Sequence, residues 1–402
     1  MKNRYRITLA SFLAYFVMSG MLAPIGIVMQ PMADYFDRPV TAISALFSWL
    51  TFGILAGSSA ALVVFDWLDL RRIMLILYTA IAASLVTLGF TDNLLAVRLA
   101  LGLVGVCCGI GLAGAASVIA SVYAAERRAS MLVITDGCFS IAGIVCGWIA
   151  VFLVARNAHW SGTYQVVAAI AVLVVLLSAI SAFPENPQRA DNQGDRIRQP
   201  ILRWPPAVWL CIASLFLYTL GQSAMLWWLP NHLETGLGVP RERAGEVVGQ
   251  FWSGMLVAQL FVAWWVLRLG VPRLVLIGAS TTFLGSLPMW LYSGIDGLVI
   301  LAFVWGFANL GLLKIIITFG TLMVRVPTPR LISGLLLGAT LGTAVSPLIT
   351  SRIAALSAPL AVLQFASGCY LAIIVLLLIA GRVGQLHESA AAPAARTTGV
   401  AS

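Results

Sequence analysis

The sequence predicts an all-α membrane protein: twelve transmembrane helices arranged as two pseudo-symmetric six-helix bundles. Three observations predict it. Of the 402 residues, 60% are hydrophobic and only 10% charged, and the mean hydropathy is +0.97, whereas soluble globular chains carry about a quarter charged residues. Apolar runs of roughly 20 residues or more, the length a helix needs to cross a hydrocarbon core, recur along the whole chain. One long polar stretch, 184–206, interrupts them near the middle and leaves two halves of similar length and texture.

The basic start (Lys2, Arg4, Arg6) leads into an apolar run at 7–30. This run is longer than a signal-peptide core and has no small-x-small cleavage site before polar sequence, so it is expected to stay as the first span. Runs at 41–65, 73–91, 93–123, 130–154 and 163–183 complete an N-terminal bundle over residues 1–183. Segment 184–206 contains Pro184, Pro187, Pro200 and Pro205, three acids and four arginines, with no apolar periodicity, and reads as a linker. Runs at 207–230, 243–268, 272–293, 297–324, 330–355 and 358–381 form a C-terminal bundle over 207–381, followed by an Ala- and Thr-rich tail, 382–402, expected to be disordered. The spans must be helices, because lipid offers no partner for open backbone groups and the runs are too long for barrel strands. Pro24 and Pro347 should bend the first and eleventh spans.

Lys and Arg set the orientation. If the N-terminus is cytoplasmic, 17 of the 24 fall on that side and 5 on the other, with Arg98 and Lys314 inside spans. Both termini and the linker are therefore expected in the cytoplasm, with the protein in a bacterial inner membrane. The halves also read as a parallel repeat. A shift of 201 residues carries Gly20 onto Gly221, Gly53 onto Gly254, Arg72 onto Arg273 and Gly105 onto Gly306, each at an equivalent place.

Several function classes recede. The formal net charge of +9 is spread over short loops without interleaved surface aromatics, which argues against nucleic-acid binding. The six cysteines lie in apolar runs without metal-ligand spacing, and His159, His232 and His387 lie in loops or the tail, so no metal or cofactor is expected. Gly109-Ile-Gly111-Leu-Ala-Gly114 matches a dinucleotide fingerprint, but it lies mid-span. Close helix packing explains it better, as it does the pairs Gly105/Gly109 and Gly143/Gly147. No phosphate-binding loop of the ATPase type exists, and no nucleophile with an adjacent base supports an enzyme.

Charge inside hydrocarbon is expensive and marks solute or ion pathways. Arg98, Asp136 and Lys314 are the residues so placed, Lys314 nearest mid-membrane. Gln222, Gln250, Trp305 and Asn309 are candidates to complete a site for substrate binding or coupling. The loop FDWLDLRR holds Asp66 and Asp69 ahead of Arg71 and Arg72, an arrangement that can pair and break as a gate, or serve as an ordinary solvated loop.

Twelve spans in two halves, a polar linker and an acidic-basic loop after span two resemble the major facilitator superfamily. The segments ITDGCFSIAGIV (134–145), QFWSGMLVAQL (250–260) and RVPTPRLISG (325–334) resemble its TsgA-type branch, which is related to the fucose and proton symporters. The resemblance covers about 7–381 and implies a central cavity with alternating access. Two departures stand out. Trp67 and Asp69 intrude in the loop motif, and the stretches 19–24 and 109–117 lack the acids to which fucose-type symporters look for proton coupling. If protons drive this chain, Asp136 is the remaining carrier, since an apolar setting raises a carboxylate's pKa. The reading is a monomeric secondary transporter of a small polar solute, coupled to protons or another ion. The alternative is a transporter-like sensor that binds a solute without moving it.

Overall fold

The computed structural model describes residues 2–123, 125–183, 204–309, 311–324 and 329–396, and their regular secondary structure is helical throughout. In the first half, α1 (Lys2–Leu22) and α2 (Ile25–Phe36) form the first pass, divided at Pro24. Proline has no N–H to continue the helical ladder, so the expected bend is a break. The other passes of this half are α3 (Val40–Leu46) with α4 (Ser48–Trp67), then α5 (Leu70–Thr87), α6 (Leu94–Val122), α7 (Ala125–Ala155) and α8 (Gly162–Ala179). Asn93 starts α6 by accepting the Leu95 N–H at 2.8 Å.

The second half comprises α9 (Pro206–Leu237), α10 (Arg241–Leu269), α11 (Val271–Ser286) with the short α12 (Pro288–Leu291), α13 (Ile295–Ala308) with α14 (Leu312–Leu322), α15 (Pro329–Leu356) and α16 (Pro359–Arg396). Pro347 lies within α15, which continues through it. Of the expected linker, 184–203 lies outside the described residues. α16 runs to Arg396, into the segment expected as a tail.

Eleven passes are long and apolar enough to cross a membrane. The twelfth, α10, has 29 residues, about 43 Å at the usual rise. Its stretch 247–264 carries no Asp, Glu, Lys or Arg, so this pass too is apolar enough to cross.

The halves are assembled alike. In the first, α4 crosses α6, α5 packs on α6 and α8, and α1 packs on α6, α7 and α8. In the second, α10 crosses α13, α11 packs on α13, α14 and α16, and α9 packs on α14, α15 and α16. The correspondence reaches the backbone. A Cβ on Gly105 would lie 2.1 Å from the Leu50 carbonyl oxygen, and one on Gly306 would lie 2.0 Å from that of Phe251, 201 residues further along on both sides. Gly53 meets the Gly102 carbonyl as Gly254 meets that of Phe303. Only glycine permits crossings this close. Gly109 belongs to the same seam, against the Ile54 carbonyl, so the fingerprint-like run is packing. The halves meet through α7 with α10, α3 and α4 with α15, and α2 with α9.

Candidate functional site

With an even number of passes, the chain's two ends lie on one face of the molecule. The halves are joined toward the other. Trp227 Nε1 donates to the Leu22 carbonyl at 3.1 Å, and Gly26 admits the backbone at Leu226 and Trp227. One turn on, Asn231 Nδ2 donates to Gln30 Oε1 at 3.0 Å, and Gln30 Nε2 donates to Asp34 Oδ1 at 2.8 Å. Arg241 closes this chain, donating from Nη2 to Asp34 at 2.9 Å and from Nε to Glu234 at 2.8 Å. Elsewhere, Thr51 Oγ1 donates to the Ala344 carbonyl at 2.9 Å. Along α7 and α10, Gln259 Nε2 donates to the Ser140 hydroxyl at 3.0 Å, the Trp252 ring covers Gly143, and Gly249 faces Gly147. Among the described residues, these side-chain bonds between the halves lie near mid-membrane or toward the face opposite the termini.

At that face Tyr35, in its hydroxyl's bond to Asp92, also stacks edge-on to His159 at 4.8 Å, and His159 Nδ1 bonds the Ser161 hydroxyl at 2.8 Å. Burial draws the His159 pKa below its ordinary value and Asp92 partly opposes this, while the bond to Asp92 raises that of Tyr35.

The expected site residues separate into groups. Lys314 is half-buried in the first turn of α14, directly after the helix breaks over 309–311, where Gly311 takes φ +62°. Asn309 ends α13 fully buried. It accepts from the Tyr218 hydroxyl at 3.1 Å and donates to the Trp305 carbonyl at 2.9 Å, which pins the break to α9. Trp305 is also fully buried, its ring 4.5 Å from Phe251 within the second half's own core. Gln222 reaches toward the Met255 sulfur at 3.9 Å. Gln250 sits about 160° round α10 from Trp252, away from the side that meets α7. Arg98 is exposed in the second turn of α6, at the end of that span away from the termini. Asp136 occupies α7 one turn before Ser140, and its side chain lies outside the described residues, as does that of Asp66.

In the candidate gate, Arg72 pairs with Asp69 at 3.9 Å, both well exposed. Arg71 donates to the Ala179 carbonyl at the end of α8. Among the described residues, both of these links stay within the first half.

Two residues escaped the sequence reading. Lys314, Thr318 and Thr321 fall at i, i+4 and i+7 on one face of α14, with Thr318 exposed. The hydroxyls of Thr318 and Thr321 return to the carbonyls four and three residues back, at 2.8 and 2.7 Å. The stripe runs from mid-membrane toward the face bearing the termini. Its spacing from the one deep lysine was the available signal.

Two related six-helix halves, a seam closed on one side and a polar stripe leading from the other define a multi-pass membrane transporter. The chain belongs to the Major Facilitator Superfamily, whose sequence model matches residues 7–331. It is 28% identical over 393 residues to a protein TsgA homolog of Serratia proteamaculans (strain 568), covering 96% of this chain and 98% of that one. A protein TsgA homolog of Yersinia pestis is 26% identical over 384 residues, covering 94% and 96%. Among solved structures, a D-xylose-proton symporter superposes with TM-score 0.73 at 16% identity, covering 95% of this chain and 97% of that one. The nucleoside transporter NupG gives 0.68 at 15%, covering 95% and 99%. A bacterial homolog of the human lysosomal transporter Spinster, inward-facing and occupied, gives 0.70 at 16%, covering 97% of each.

Proposed function

We propose that this chain is a secondary transporter that moves a small anionic or zwitterionic solute across the bacterial inner membrane by alternating access, as a monomer with both termini cytoplasmic. The observation that carries the reading is the pairing of a sealed seam with the stripe Lys314, Thr318, Thr321. A lysine held mid-membrane beside an exposed threonine favours water over lipid as its surroundings. The N-terminal end of α14 adds its partial positive charge beside the ammonium group. The gradient of an ion or of the solute supplies the energy; if the ion is the proton, Asp136, inside the fifth span, is the candidate carrier.

The seal is of a strength that can be undone. Arg241 and Asp34 are each partly exposed, and such pairs contribute about 0–1 kcal/mol. Opening this face exchanges them for water at small cost.

The test uses a cysteine-free background with Asp34→Cys, Arg241→Cys and Thr318→Cys. With the first two cross-linked, a membrane-impermeant maleimide should reach Cys at 318 only from the termini side. After reduction it should reach it from either side. Equal labelling from both faces in the cross-linked protein, or labelling only by a lipid-soluble maleimide, would overturn the reading.

A further inference from the structure

On the outer surface of the second half, α10, α11 and α13 enclose an apolar groove of about 340 Å³, lined by Trp265, Leu269, Leu274, Ile277, Val304 and Phe307 among others. Ile277 and Val304 are exposed, so the groove opens outward, toward lipid. It begins near the α10–α11 turn and rises to Thr281 and Ala308, about 10 Å along α11. The turn that closes its lower end carries Arg268 and Arg273, both exposed, with the Arg268 guanidinium over the Trp264 ring at 4.4 Å. No acid occurs between Glu246 and Asp296, so nothing in this stretch of sequence neutralises them.

We propose that the groove is a specific site for an anionic phospholipid, with one acyl chain along α11 and the phosphate headgroup between Arg268 and Arg273. The two features divide the work. In a bilayer an acyl chain gains no hydrophobic free energy by leaving bulk lipid for a protein groove, so retention there comes from shape and van der Waals contact. Selection among lipids comes from the headgroup, where basic clusters at the membrane surface attract anionic lipids. The acyl chain would pass Ala308, where α13 ends and whose carbonyl accepts from Thr281 Oγ1 at 3.0 Å. The lipid thereby braces the helix break that precedes Lys314.

Native mass spectrometry of the full chain, released from mixed phosphatidylglycerol and phosphatidylethanolamine, measures the preference directly. Wild type should retain phosphatidylglycerol over phosphatidylethanolamine. Arg268→Gln or Arg273→Gln should each reduce that preference about fivefold, and together roughly twenty-five-fold. Val304→Trp, which fills the groove without touching charge, should reduce retention of both lipids alike. Thermal unfolding of each variant identifies a misfolded one, and Ile277→Trp then replaces Val304→Trp. Unchanged phosphatidylglycerol preference in the double arginine variant overturns the site. So does undiminished retention in a folded groove variant, or a dimer mass showing that a second copy covers the surface.

Discussion

The two halves share a scaffold and differ in chemistry. Their helix pairings correspond, and the glycine crossings correspond too: 2.1 and 2.0 Å at Gly105 and Gly306, 2.5 and 2.0 Å at Gly53 and Gly254. At the positions 201 residues before Lys314, Asn309, Gln222, Gln250 and Trp305 stand Ala113, Cys108, Met21, Trp49 and Val104. The helices differ in the same place: α6 runs unbroken through Cys108, Gly109 and Ile110, whereas its counterpart breaks over 309–311 into α13 and α14. A duplicated frame therefore holds its crossings on both sides while the side chains at these positions differ. Glycine at a crossing answers to the neighbouring backbone, which both halves share. Asn309 and Trp305 answer to their own half's core, whereas Lys314, under the proposed function, answers to a solute.

The largest effect should fall on the shared part. Gly105→Val and Gly306→Val each drive a side chain into a carbonyl about 2 Å away, so the helices must separate, at a cost of roughly 3 kcal/mol or more. Both should lower folded yield and thermal stability to a similar degree. A large loss in one half with tolerance in the other would break the equivalence.

The next test addresses the part not shared. Lys314→Ala should reduce flux, in proteoliposomes, of whichever solute the wild type carries by at least about tenfold, the equivalent of ~1.4 kcal/mol, with thermal stability retained. The counterpart change Ala113→Ser should leave flux near wild type. Equal sensitivity of both positions would place the solute symmetrically between the halves and refute the assignment to α14.

The break itself, also unshared, is tested through stability rather than flux. Gly311→Ala places a Cβ at positive φ, costing about 1–2 kcal/mol. Tyr218→Phe leaves the buried Asn309 carbonyl oxygen without its hydroxyl partner, costing about 1–3 kcal/mol. Ile110→Ala, at the counterpart of Gly311 in continuous α6, loses side-chain packing but strains no backbone. Chemical denaturation of the three variants separates strain from packing, since only the first should be relieved by Gly311→Asn, a residue that tolerates the left-handed region.

The frame was legible because lipid imposes it: apolar runs of spanning length, one polar interruption and a glycine offset each have a single reading in a bilayer. Breaks were less legible. Pro24 announced one, but Gly311 is one of 36 glycines, and only the positive φ distinguishes it. The site was partly legible, through Lys314, because cost rises with depth. Trp305 and Asn309 were plausible from polarity alone, yet both face the half's own core, and sequence does not say which side of a helix meets which neighbour. The latch of Asn231, Gln30, Asp34, Arg241 and Glu234 was hidden for the same reason, since its members lie up to 211 positions apart in sequence, from Gln30 to Arg241.

The smallest expected effect concerns the turns that follow the second and eighth passes, where the repeat keeps its arginine and changes its surroundings. Asp69 and Arg71 correspond to Gly270 and Pro272, while Arg72 corresponds to Arg273. Arg72 thus has an acid three residues away, and Arg273 has none. An exposed pair such as Arg72 with Asp69 contributes about 0–1 kcal/mol, so Arg72→Ala should shift thermal stability by little and, with its charge already answered by protein, should leave the bound-lipid ratio unchanged. Arg273→Gln should likewise spare stability but alter that ratio. If Arg72→Ala altered the lipid ratio as strongly as Arg273→Gln, the acid beside Arg72 would be irrelevant to lipid selection, and the asymmetry between the turns would carry no chemical meaning.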